Sequence, residues 1–402
     1  MRQKPVTTAR YAVLQSSYWL TLCAIVPFAS VFLLGYGFTS AQVGLIMAWA
    51  NLLAMFVQPM VGAFADRSRK VFLGQIMAAF AGLGVLLAAG MLLLPLPKLL
   101  LGGMFLLAVA AVMINQPLVN AICIYYTDRG VDINFGVARG IGSGVYALTS
   151  WLLGVLVNRF GTDALLISSI VLCLVLIALA LSYHPIQGPQ QSSGGAERSA
   201  AAAVGIRGFV KKYPKFLLLL AGCILLYVFH TYSTIYFYQI VLNIGGDSAD
   251  MGFSNALAAL VELPAMFLFG RLVRRWSCER LLQVASVAYI VKAVAFFLAP
   301  SMPWMNVAQC FQAISYAIYV PATIYFANQM MDACDQNKGQ TLLTAANAAA
   351  AIVGSLTGGV IVDHFGVSAM LVVGIGCTVL GTLTIFFSAG RRAGAAAREN
   401  MG

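Results

Sequence analysis

Residues 154–161 read GVLVNRFG, and residues 359–366 read GVIVDHFG, 205 positions later. Three further pairs of similar residues lie at nearly the same spacing: Pro59 with Pro264, the basic pair 69–70 with 274–275, and, 204 residues apart, Pro117 with Pro321. One match between apolar segments can arise by chance, whereas several matches at one offset indicate an internal repeat. The sequence therefore predicts a duplicated unit that accounts for about half of the chain.

The composition is that of a protein embedded in lipid. Of the 402 residues, 61% are hydrophobic and 9% are charged, whereas soluble domains carry about 25% charged residues. Apolar runs of about 18 residues or more recur along the whole chain, and each is long enough to cross a bilayer as a helix. The basic start MRQKPVTTAR leads directly into such a run, so we expect no cleavable signal peptide.

Twelve such runs predict an all-α polytopic membrane protein. We number them span one to span twelve, at roughly 14–36, 41–63, 71–94, 99–126, 138–159, 163–183, 214–242, 249–270, 281–300, 303–331, 341–362 and 367–389. The polar, Gly/Ser/Ala-rich stretch 186–213 separates span six from span seven and is expected to be a flexible cytoplasmic linker. The predicted architecture is two pseudo-symmetric six-helix bundles, residues 1–185 and 214–402, joined by that linker.

The basic residues predict the orientation in the membrane. An even number of spans places both termini on one side, and 21 of the 24 Lys and Arg residues fall on that side. The opposite side has Lys98 and Arg159, and Lys292 falls within span nine. Because cytoplasmic loops carry an excess of Lys and Arg, we expect both termini in the cytoplasm and a multi-pass protein of the bacterial inner (plasma) membrane. The net charge of +11 has the same origin and does not indicate a nucleic-acid partner.

The eight cysteines predict neither disulfides nor a metal site. Six of them lie inside spans, where a thiol behaves as a small apolar group, and Cys278 and Cys334 face the reducing cytoplasm. The sequence has no CxxC pair, no His/Cys cluster with metal-ligand spacing, no Ser-His-Asp constellation and no phosphate-cradling loop. We therefore expect no enzyme activity and no metal.

Three charged residues lie where the predicted spans cross lipid. Arg139 begins span five, Glu262 is mid-depth in span eight within AALVELPAMF (258–267), and Lys292 is in the second half of span nine. A charge at the centre of a spanning helix costs about 2.5–3.5 kcal/mol on insertion scales, so it usually faces a cavity or a partner. The alternatives to a functional site are a structural ion pair between Glu262 and Lys292 and a simple helix end at Arg139.

Polar and aromatic residues recur at helical spacing in four spans, which indicates shared faces. They are Asn51 and Gln58 in span two, Tyr227, His230, Thr234 and Tyr238 in span seven, Asn255 and Glu262 in span eight, and Gln309, Gln312, Tyr316 and Tyr319 in span ten. Rings combined with amides and hydroxyls suit a polyhydroxylated ring, whose faces stack and whose edges form hydrogen bonds. The same residues could instead hold helices together, and His230 is as compatible with a packing role as with a proton carrier.

A short motif follows span two, where residues 62–70 read GAFADRSRK. It resembles the loop motif of the major facilitator superfamily, although one residue is missing between Asp66 and the last basic pair. The resemblance implies two parallel six-span halves around an axis normal to the membrane, with the substrate site at the midplane. It also implies a cytoplasmic gate formed by four residues: Asp66, Arg67, Arg271 and Arg274. Positive-inside anchoring is the alternative for these basic residues.

Further motifs resemble the oligosaccharide:proton symporters, the lactose permease-like branch of that superfamily. FGVAR at 135–139, with Tyr146 seven residues after the Arg, is similar to the branch's FGRAR and its later Trp. Gln-Pro at 58–59 followed by GxxxD is similar to its span two. The resemblance implies that Arg139 binds sugar hydroxyls and that Tyr146 stacks on a pyranose ring. It also places Glu262 at the position of the branch's sugar-accepting glutamate.

Lys292, 30 residues after Glu262, occupies the place of the branch's span-nine arginine. Other positions depart from the pattern. The span-four carboxylate that pairs with the arginine falls near Asn120, and the span-ten His and Glu used in proton coupling are replaced by Tyr316 and Tyr319. These departures leave the substrate and the route of the proton open.

We expect a proton-coupled symporter for a sugar, an oligosaccharide or a similar small hydroxylated solute, working by alternating access around a midplane site. The expected proton-coupling groups are Glu262, Lys292 and His230. The expected substrate-binding residues are Arg139, Tyr146, Glu262, Asn120, Asn255, Tyr227, His230, Gln309, Gln312, Tyr316 and Tyr319. The proton is the expected coupling ion, with no other cofactor, and the chain is expected to be a monomer in the lipid bilayer. The alternatives are a permease for nucleosides or aromatic acids, a drug:proton antiporter, and a non-transporting sensor or scaffold on the same fold.

Overall fold

The computed structural model describes residues 6–68, 71–186 and 206–389. Within these ranges the regular structure is entirely helical, and eleven helices are long and apolar enough to cross a membrane. The longest, Gln336–Ala389, contains one non-helical residue, Gly366, with φ 81° and ψ 173°. The chain kinks there, between span eleven (336–365) and span twelve (367–389). The predicted fold of twelve spanning helices is confirmed.

The observed helices follow the predicted spans closely. Span one consists of Thr8–Ile25 and Ala29–Gly35, and spans two to six are Ser40–Arg67, Leu73–Leu93, Lys98–Thr127, Phe135–Phe160 and Asp163–Leu181. Span seven consists of Pro214–Ile235 and Phe237–Asn243, and spans eight and nine are Ser248–Arg275 and Cys278–Leu298. Span ten consists of Met302–Cys310, Phe311–Ala313 and Tyr316–Gln329. Span one begins six residues earlier than predicted, because Thr7 accepts a hydrogen bond from the Arg10 amide and caps the helix.

The predicted linker 186–213 is only partly within the described residues, and its last part is helical instead of flexible. Residues 206–212 form a short helix, Ile206–Lys212, in which Phe209 is buried. Its last residue, Lys212, donates to Asp335 (2.8 Å) and pairs with Asp332 (2.9 Å), and both carboxylates lie in the connection between spans ten and eleven. The bond from Lys212 holds the pKa of each carboxyl group below its usual range. This ion-pair cluster fixes the end of the linker to the second half.

Prolines and helix breaks recur at equivalent places in the two halves. Pro59, Pro117, Pro264 and Pro321 each lie inside a helix, where proline removes a backbone hydrogen bond and favours a bend. Span one is interrupted at residues 26–28 and span seven at 236. Broken helices of this kind occur in transporters where the backbone lines a cavity. Of these irregular spans, one, seven, eight and ten line the site described below, whereas spans two and four do not.

The two halves meet most closely at the end of the molecule opposite residues 6 and 389, where the described part of the chain begins and ends. We call this the distal end and the other the terminal end. Here span two crosses span eleven (residues 40–44 with 355–363, the two–eleven crossing), and span five crosses span eight (residues 150–158 with 247–252, the five–eight crossing). A Cβ atom at any of four glycines would overlap backbone of the opposite half: Gly44, Gly359, Gly154 and Gly252. Only glycine permits this approach.

The hydrogen bonds between described residues of the two halves also lie at the distal end. Asp363 accepts from the backbone N–H groups of Ser40 (2.9 Å) and Ala41 (2.7 Å). The Asn158 amide donates to the Asp247 carboxylate (2.8 Å). Ser248 donates to a carbonyl at the five–eight crossing, and a Ser30 hydroxyl donates to a carbonyl of span seven. The described part of the molecule is therefore closed at the distal end.

The terminal end lacks such contacts among the residues that the structure describes. The four predicted gating residues, Asp66, Arg67, Arg271 and Arg274, are all exposed. No ion pair or hydrogen bond involves any of these side chains within the described ranges. The basic pair 69–70 of the loop motif lies outside those ranges. In this conformation the predicted gate is not clamped, and the gating role of the four residues stays a prediction.

Candidate substrate site

A cavity of about 260 Å³ lies between the two halves near mid-depth. Spans one and five line it from the first half, and spans seven to ten line it from the second. Its polar and aromatic lining residues are Trp19, Arg139, Ser143, Tyr146, His230, Ser233, Thr234, Asn255, Glu262, Lys292, Gln309, Gln312 and Tyr316. A midplane position between two six-span halves is where transporters with this kind of repeat bind their substrates.

Nine of the twelve residues predicted to bind the substrate or to couple protons meet in this cavity. They are Arg139, Tyr146, His230, Asn255, Glu262, Lys292, Gln309, Gln312 and Tyr316. The remaining three, Asn120, Tyr227 and Tyr319, do not line it. Helical spacing singled out five of the nine, and the other four stood out by their charge or by the motif FGVAR with its later Tyr. The role of each residue in binding or proton transfer stays a prediction.

Glu262 is connected to Lys292 through an amide. Gln312 Nε2 donates to Glu262 Oε1 (2.8 Å), and Lys292 Nζ donates to Gln312 Oε1. Gln312 and Lys292 are 6% and 2% exposed, whereas Glu262 is only partly buried. Among the described residues no direct ion pair joins Glu262 to Lys292. Glu262 and Lys292 therefore do not form a simple structural ion pair. Instead, hydrogen bonds link Glu262 of span eight to Gln312 of span ten, and Gln312 to Lys292 of span nine.

Arg139 faces this chain from the first half. Its guanidinium lies over the indole ring of Trp19, 3.8 Å from the ring centroid. One of its terminal nitrogens donates to Ser143 Oγ (2.8 Å), one turn further along span five. Arg139 thus reaches the cavity and does not merely mark a helix end. Stacking on an aromatic face stabilises a cation without a carboxylate.

Trp19 and Tyr146 form an aromatic corner beside Arg139. Their ring centroids are 6.4 Å apart with the planes at 77°, an edge-to-face arrangement that is common for aromatic pairs. The Trp19 indole nitrogen is buried without a hydrogen-bond partner among the described residues. A flat or ring-shaped solute could pack against this corner while it accepts hydrogen bonds from the guanidinium.

On the opposite wall, His230 stacks on Tyr316. The ring centroids are 4.3 Å apart and the planes are nearly parallel, at 7°. Tyr227 contacts His230 from behind, at 5.0 Å between centroids, but it does not reach the cavity. His230 Nδ1 is buried without a partner within the described residues. His230 is therefore both packed and next to the cavity, and the structure is compatible with either of its predicted roles.

Asn120 and Tyr319 lie away from the cavity, contrary to their predicted positions. Asn120 lines a separate cavity of about 400 Å³ towards the terminal end of span four, together with Cys123, Thr127 and Asp128. Tyr319 is 2% exposed and packs edge-to-face against Tyr289 of span nine, at 5.6 Å. Span ten is irregular at Phe311–Ala313, so helical spacing extended through it from Gln309 to Tyr319 overestimates the shared face.

Sequence reasoning missed Trp19, Ser143 and Ser233 as lining residues. Ser143 and Ser233 are small, and Trp19 is the one ring that span one contributes to the cavity. Within SSYWL (16–20) neither of the neighbouring residues Tyr18 and Trp19 is distinguished by spacing. The sequence did contain one indication of Trp19. Because Arg139 has no carboxylate at the span-four position, its charge needs another kind of partner, such as an aromatic ring.

The described residues contain no cluster of three His, Cys, Asp or Glu side chains that could hold a metal ion. The side chains that line the cavity offer three kinds of interaction. Arg139 can donate to an acceptor on a solute, the aromatic corner can pack against a ring, and the Glu262 carboxyl can carry a proton. Such groups can bind a small solute without transforming it.

Comparisons with known proteins agree with this geometry. The family described as "MFS_1 like family" matches residues 11–373. Maltose permease of Geobacillus stearothermophilus is 25% identical over 394 residues, which cover 95% of this chain and 95% of that protein. A probable 3-phenylpropionic acid transporter of Escherichia coli is 25% identical over 333 residues, covering 78% of this chain and 83% of that protein.

Among solved structures, a mutant of the nucleoside transporter NupG superposes with a TM-score of 0.77, over 94% of this chain and 98% of that chain. The sequence identity is 15%, so this likeness concerns the fold alone. The predicted membership of the major facilitator superfamily is confirmed by the family match and by these relatives, which are transporters. The chain belongs to the MFS_1 like family and is a secondary transporter of the major facilitator type, not an enzyme.

Proposed function

We propose that the chain is a proton-coupled symporter for a sugar, an oligosaccharide or a similar small hydroxylated solute. The observation that carries this proposal is the arrangement of Glu262, Gln312 and Lys292 on one wall of the cavity, opposite Arg139 and the aromatic corner. A carboxyl group, two cationic groups and aromatic rings around one enclosed space supply what binding and proton transfer both require.

The lining supports a hydroxylated solute. Amide groups of Gln309, Gln312 and Asn255 offer both donors and acceptors, as a hydroxyl group needs. The corner of Trp19 and Tyr146 offers apolar faces for a ring. The likeness to maltose permease over 95% of the chain favours a sugar over an unrelated solute, although it does not fix which one.

Glu262 is the proposed proton carrier. Burying an ionised carboxylate costs far more free energy than burying a neutral carboxyl group. Closing the cavity around Glu262 is therefore easier when this residue is protonated or when the solute and Gln312 together satisfy its oxygens. Proton and solute then favour the same closed intermediate, and this common preference couples their movement. Lys292 and His230 are the proposed partners in proton transfer.

The orientation of the chain follows from its basic residues. We place both termini in the cytoplasm, so that the distal end faces outwards and the structure is closed to the outside. The chain would then stand in the inward-facing conformation, and the crossings at the distal end would separate when the substrate enters. We propose that a monomer in the bacterial inner membrane carries out this cycle, since both halves of the site belong to one chain.

A permease for an aromatic acid is the second candidate. The likeness to a probable 3-phenylpropionic acid transporter and the aromatic corner next to Arg139 favour it. Both candidates use the same fold, the same cavity and the same proton carrier. They differ in whether the solute presents hydroxyl groups or a carboxylate to Arg139.

The test uses purified protein in liposomes that enclose a pH-sensitive dye. Disaccharides, monosaccharides, nucleosides and aromatic acids are added in turn, and internal acidification above that of protein-free liposomes reports symport. Glu262→Gln should abolish the response to the active solute. Glu279→Gln is the matched control, because Glu279 lies in the first turn of span nine and outside the cavity. Full acidification by the Glu262→Gln variant would refute the assignment of the proton carrier.

A further inference from the structure

The charges that line the cavity do not balance. Its charged side chains, among the described residues, are Arg139, Lys292 and Glu262. With one carboxylate and two cationic groups, the lining of the cavity as a whole has an excess of positive charge. In a membrane interior such a charge is costly unless a counter-charge or a cavity ligand compensates for it. With one carboxylate for two cationic groups, one of the two is left without an anion.

Lys292 and Glu262 compensate for each other through Gln312. The lysine donates to the amide oxygen, and the amide nitrogen donates to the carboxylate. If a proton passes from one end of this chain to the other, both groups become neutral and their sum stays zero. In either state Arg139 contributes the whole excess of one positive charge. When Glu262 takes up the coupling proton while Lys292 stays charged, the excess grows by one, so neither this step nor a proton transfer within the pair supplies an anion for Arg139.

The hydrogen-bonding capacity of Arg139 is largely unused. A guanidinium has five N–H donors in a planar fork, and among the described residues this group donates to Ser143 Oγ alone. One face lies on Trp19 at 3.8 Å, which leaves the edge of the fork towards the cavity. No carboxylate forms an ion pair with Arg139 in the described part of the chain. A guanidinium held in this way matches the two oxygens of a carboxylate.

We propose that the transported solute carries one acidic group, a carboxylate, that binds the fork of Arg139 while the rest of the solute packs against Trp19 and Tyr146. This inference rests on the proposed function and narrows its substrate class to sugar acids and arylalkanoic acids. Trp19 acts as a positioning residue, because it fixes the plane of the guanidinium. The carboxylate of the solute supplies the negative charge that the lining of the cavity lacks.

A carboxylate on the solute changes the net charge that moves across the membrane in each transport cycle. A neutral sugar that moves with one proton carries net charge across the membrane, so the membrane potential drives its uptake. A monoanion that moves with one proton carries none. Transport of the acid should therefore respond to the pH gradient and not to an imposed potential.

The first test compares pairs of solutes that differ only in charge. D-glucuronate is paired with D-glucose, and 3-phenylpropanoate with 3-phenylpropanamide, and binding to the purified full chain is measured by calorimetry. At least one acid should bind at least about tenfold more tightly than its neutral partner, as expected for a charge-assisted bidentate contact. Equal binding within both pairs, including no binding by any of the four, would reject the acidic subsite.

Three variants distinguish the role of Arg139 from that of another stacked arginine, Arg129. Arg139→Gln should remove the preference for the acid. Arg129→Gln should retain it, because Arg129 also lies on a ring, 3.6 Å from the centroid of Tyr125, but outside the cavity. Arg139→Lys should retain part of the preference, since the charge stays while the fork is lost. An unchanged preference in Arg139→Gln would overturn the assignment.

Liposome assays distinguish this inference from the proposed function. Proton-coupled uptake of glucose, but not of glucuronate, would reject the acidic subsite and leave symport intact. Uptake of an acid without any movement of protons would support the subsite and reject symport. An imposed potential, set with valinomycin and potassium, should leave proton-coupled uptake of the acid unchanged. Acceleration of that uptake by an inside-negative potential would contradict the balance of one anion and one proton.

Discussion

The two crossings at the distal end are built from equivalent residues of the repeat, yet they hold the halves together differently. Asn158 and Asp363 occupy the same position in GVLVNRFG and GVIVDHFG. At the two–eleven crossing, Asp363 accepts two backbone hydrogen bonds at the first turn of span two. At the five–eight crossing, Asn158 donates one hydrogen bond to Asp247, which caps span eight.

Both crossings therefore place a carboxylate at the N-terminus of a helix, where a negative charge is favourable. The difference is the half to which it belongs. Asp363 comes from the opposite half, so its attraction to span two holds the halves together. Asp247 belongs to the helix that it caps, so its charge stabilises span eight whether or not the halves are in contact. Charge thus closes one crossing, whereas neutral donors close the other: the Asn158 amide donates to Asp247, and the Ser248 hydroxyl donates to the Gly154 carbonyl.

The largest expected effect comes from filling the glycine contact of the two–eleven crossing. Gly44→Val would drive a side chain into the backbone of Ser355, and overpacking of this kind favours separation of the helices. Deuterium exchange of residues 38–46 should rise by more than about tenfold, and uptake should be lost. Gly62→Val in the same helix is the control, because a Cβ there meets open space. Equal effects of the two variants would show that the contact is not what closes the distal end.

Asp363→Asn should have the next largest effect. It keeps the size of the side chain but removes the charge and one of two acceptor oxygens. The loss of about 1 kcal/mol should raise exchange at the Ser40 and Ala41 amides roughly fivefold. Asp163→Asn is the matched control, since Asp163 accepts from Tyr36 within one half (2.6 Å). Unchanged exchange in Asp363→Asn would mean that the carboxylate does not hold this crossing.

Asn158→Ala should have a smaller effect than Asp363→Asn. It removes one hydrogen bond, worth about half a kcal/mol in a partly exposed position, so exchange at the start of span eight should rise roughly twofold. Asp247 remains able to cap its own helix through the Asp250 amide (2.9 Å). If Asn158→Ala opened the distal end as much as Asp363→Asn does, the proposed difference between the crossings would be wrong.

The smallest effect on the crossings is expected from the ion-pair cluster at the terminal end. Asp335 is 2% exposed and accepts from Lys212 (2.8 Å) and Tyr213 (2.9 Å), so that it joins the end of the linker to the second half. Asp335→Asn should lower the thermal unfolding midpoint by a few degrees at neutral pH while distal exchange stays unchanged. Increased distal exchange would show that the cluster also controls the crossings.

The stability difference between wild type and Asp335→Asn should decrease as the pH falls. The Lys212 bond depresses the pKa of Asp335 in the folded chain, so the ionised carboxylate stabilises the folded state above its unfolded pKa of about 3.9. This contribution is lost as the pH falls through the folded value. The difference between wild type and Asp335→Asn should therefore be full at neutral pH, begin to shrink below about pH 4, and be absent once the pH is below the folded pKa of Asp335. A difference that persists there would exclude the ion pair as its cause.

The architecture could be predicted from the sequence because lipid imposes simple rules. Spanning runs have a minimum length, and proline positions such as Pro59 and Pro264 record the repeat. The cavity was also partly predictable. Glu262 and Lys292 stand out as charges in apolar surroundings, and the spacing of Gln309, Gln312 and Tyr316 places them on one face.

Contacts between spans could not be predicted in the same way. Gln312 belonged to the expected stripe, but its place between Glu262 and Lys292 depends on how spans eight, nine and ten pack. Trp19 is one aromatic residue among many in an apolar helix, and only the packing of span one on span five brings it under Arg139. Asp363 belongs to the repeated stretch GVIVDHFG (359–366), and its partners at Ser40 and Ala41 are more than 300 residues away in the chain.

The unequal crossings also bear on what a fused repeat makes possible. Two identical six-span subunits, paired by a two-fold axis, would carry the same residue at both crossings, because symmetry forces each contact to occur twice. Asn at one crossing and Asp at the other can coexist only when both halves are encoded separately within one chain. Fusion therefore allows selection to adjust the ease of opening on one side of the substrate path without altering the other.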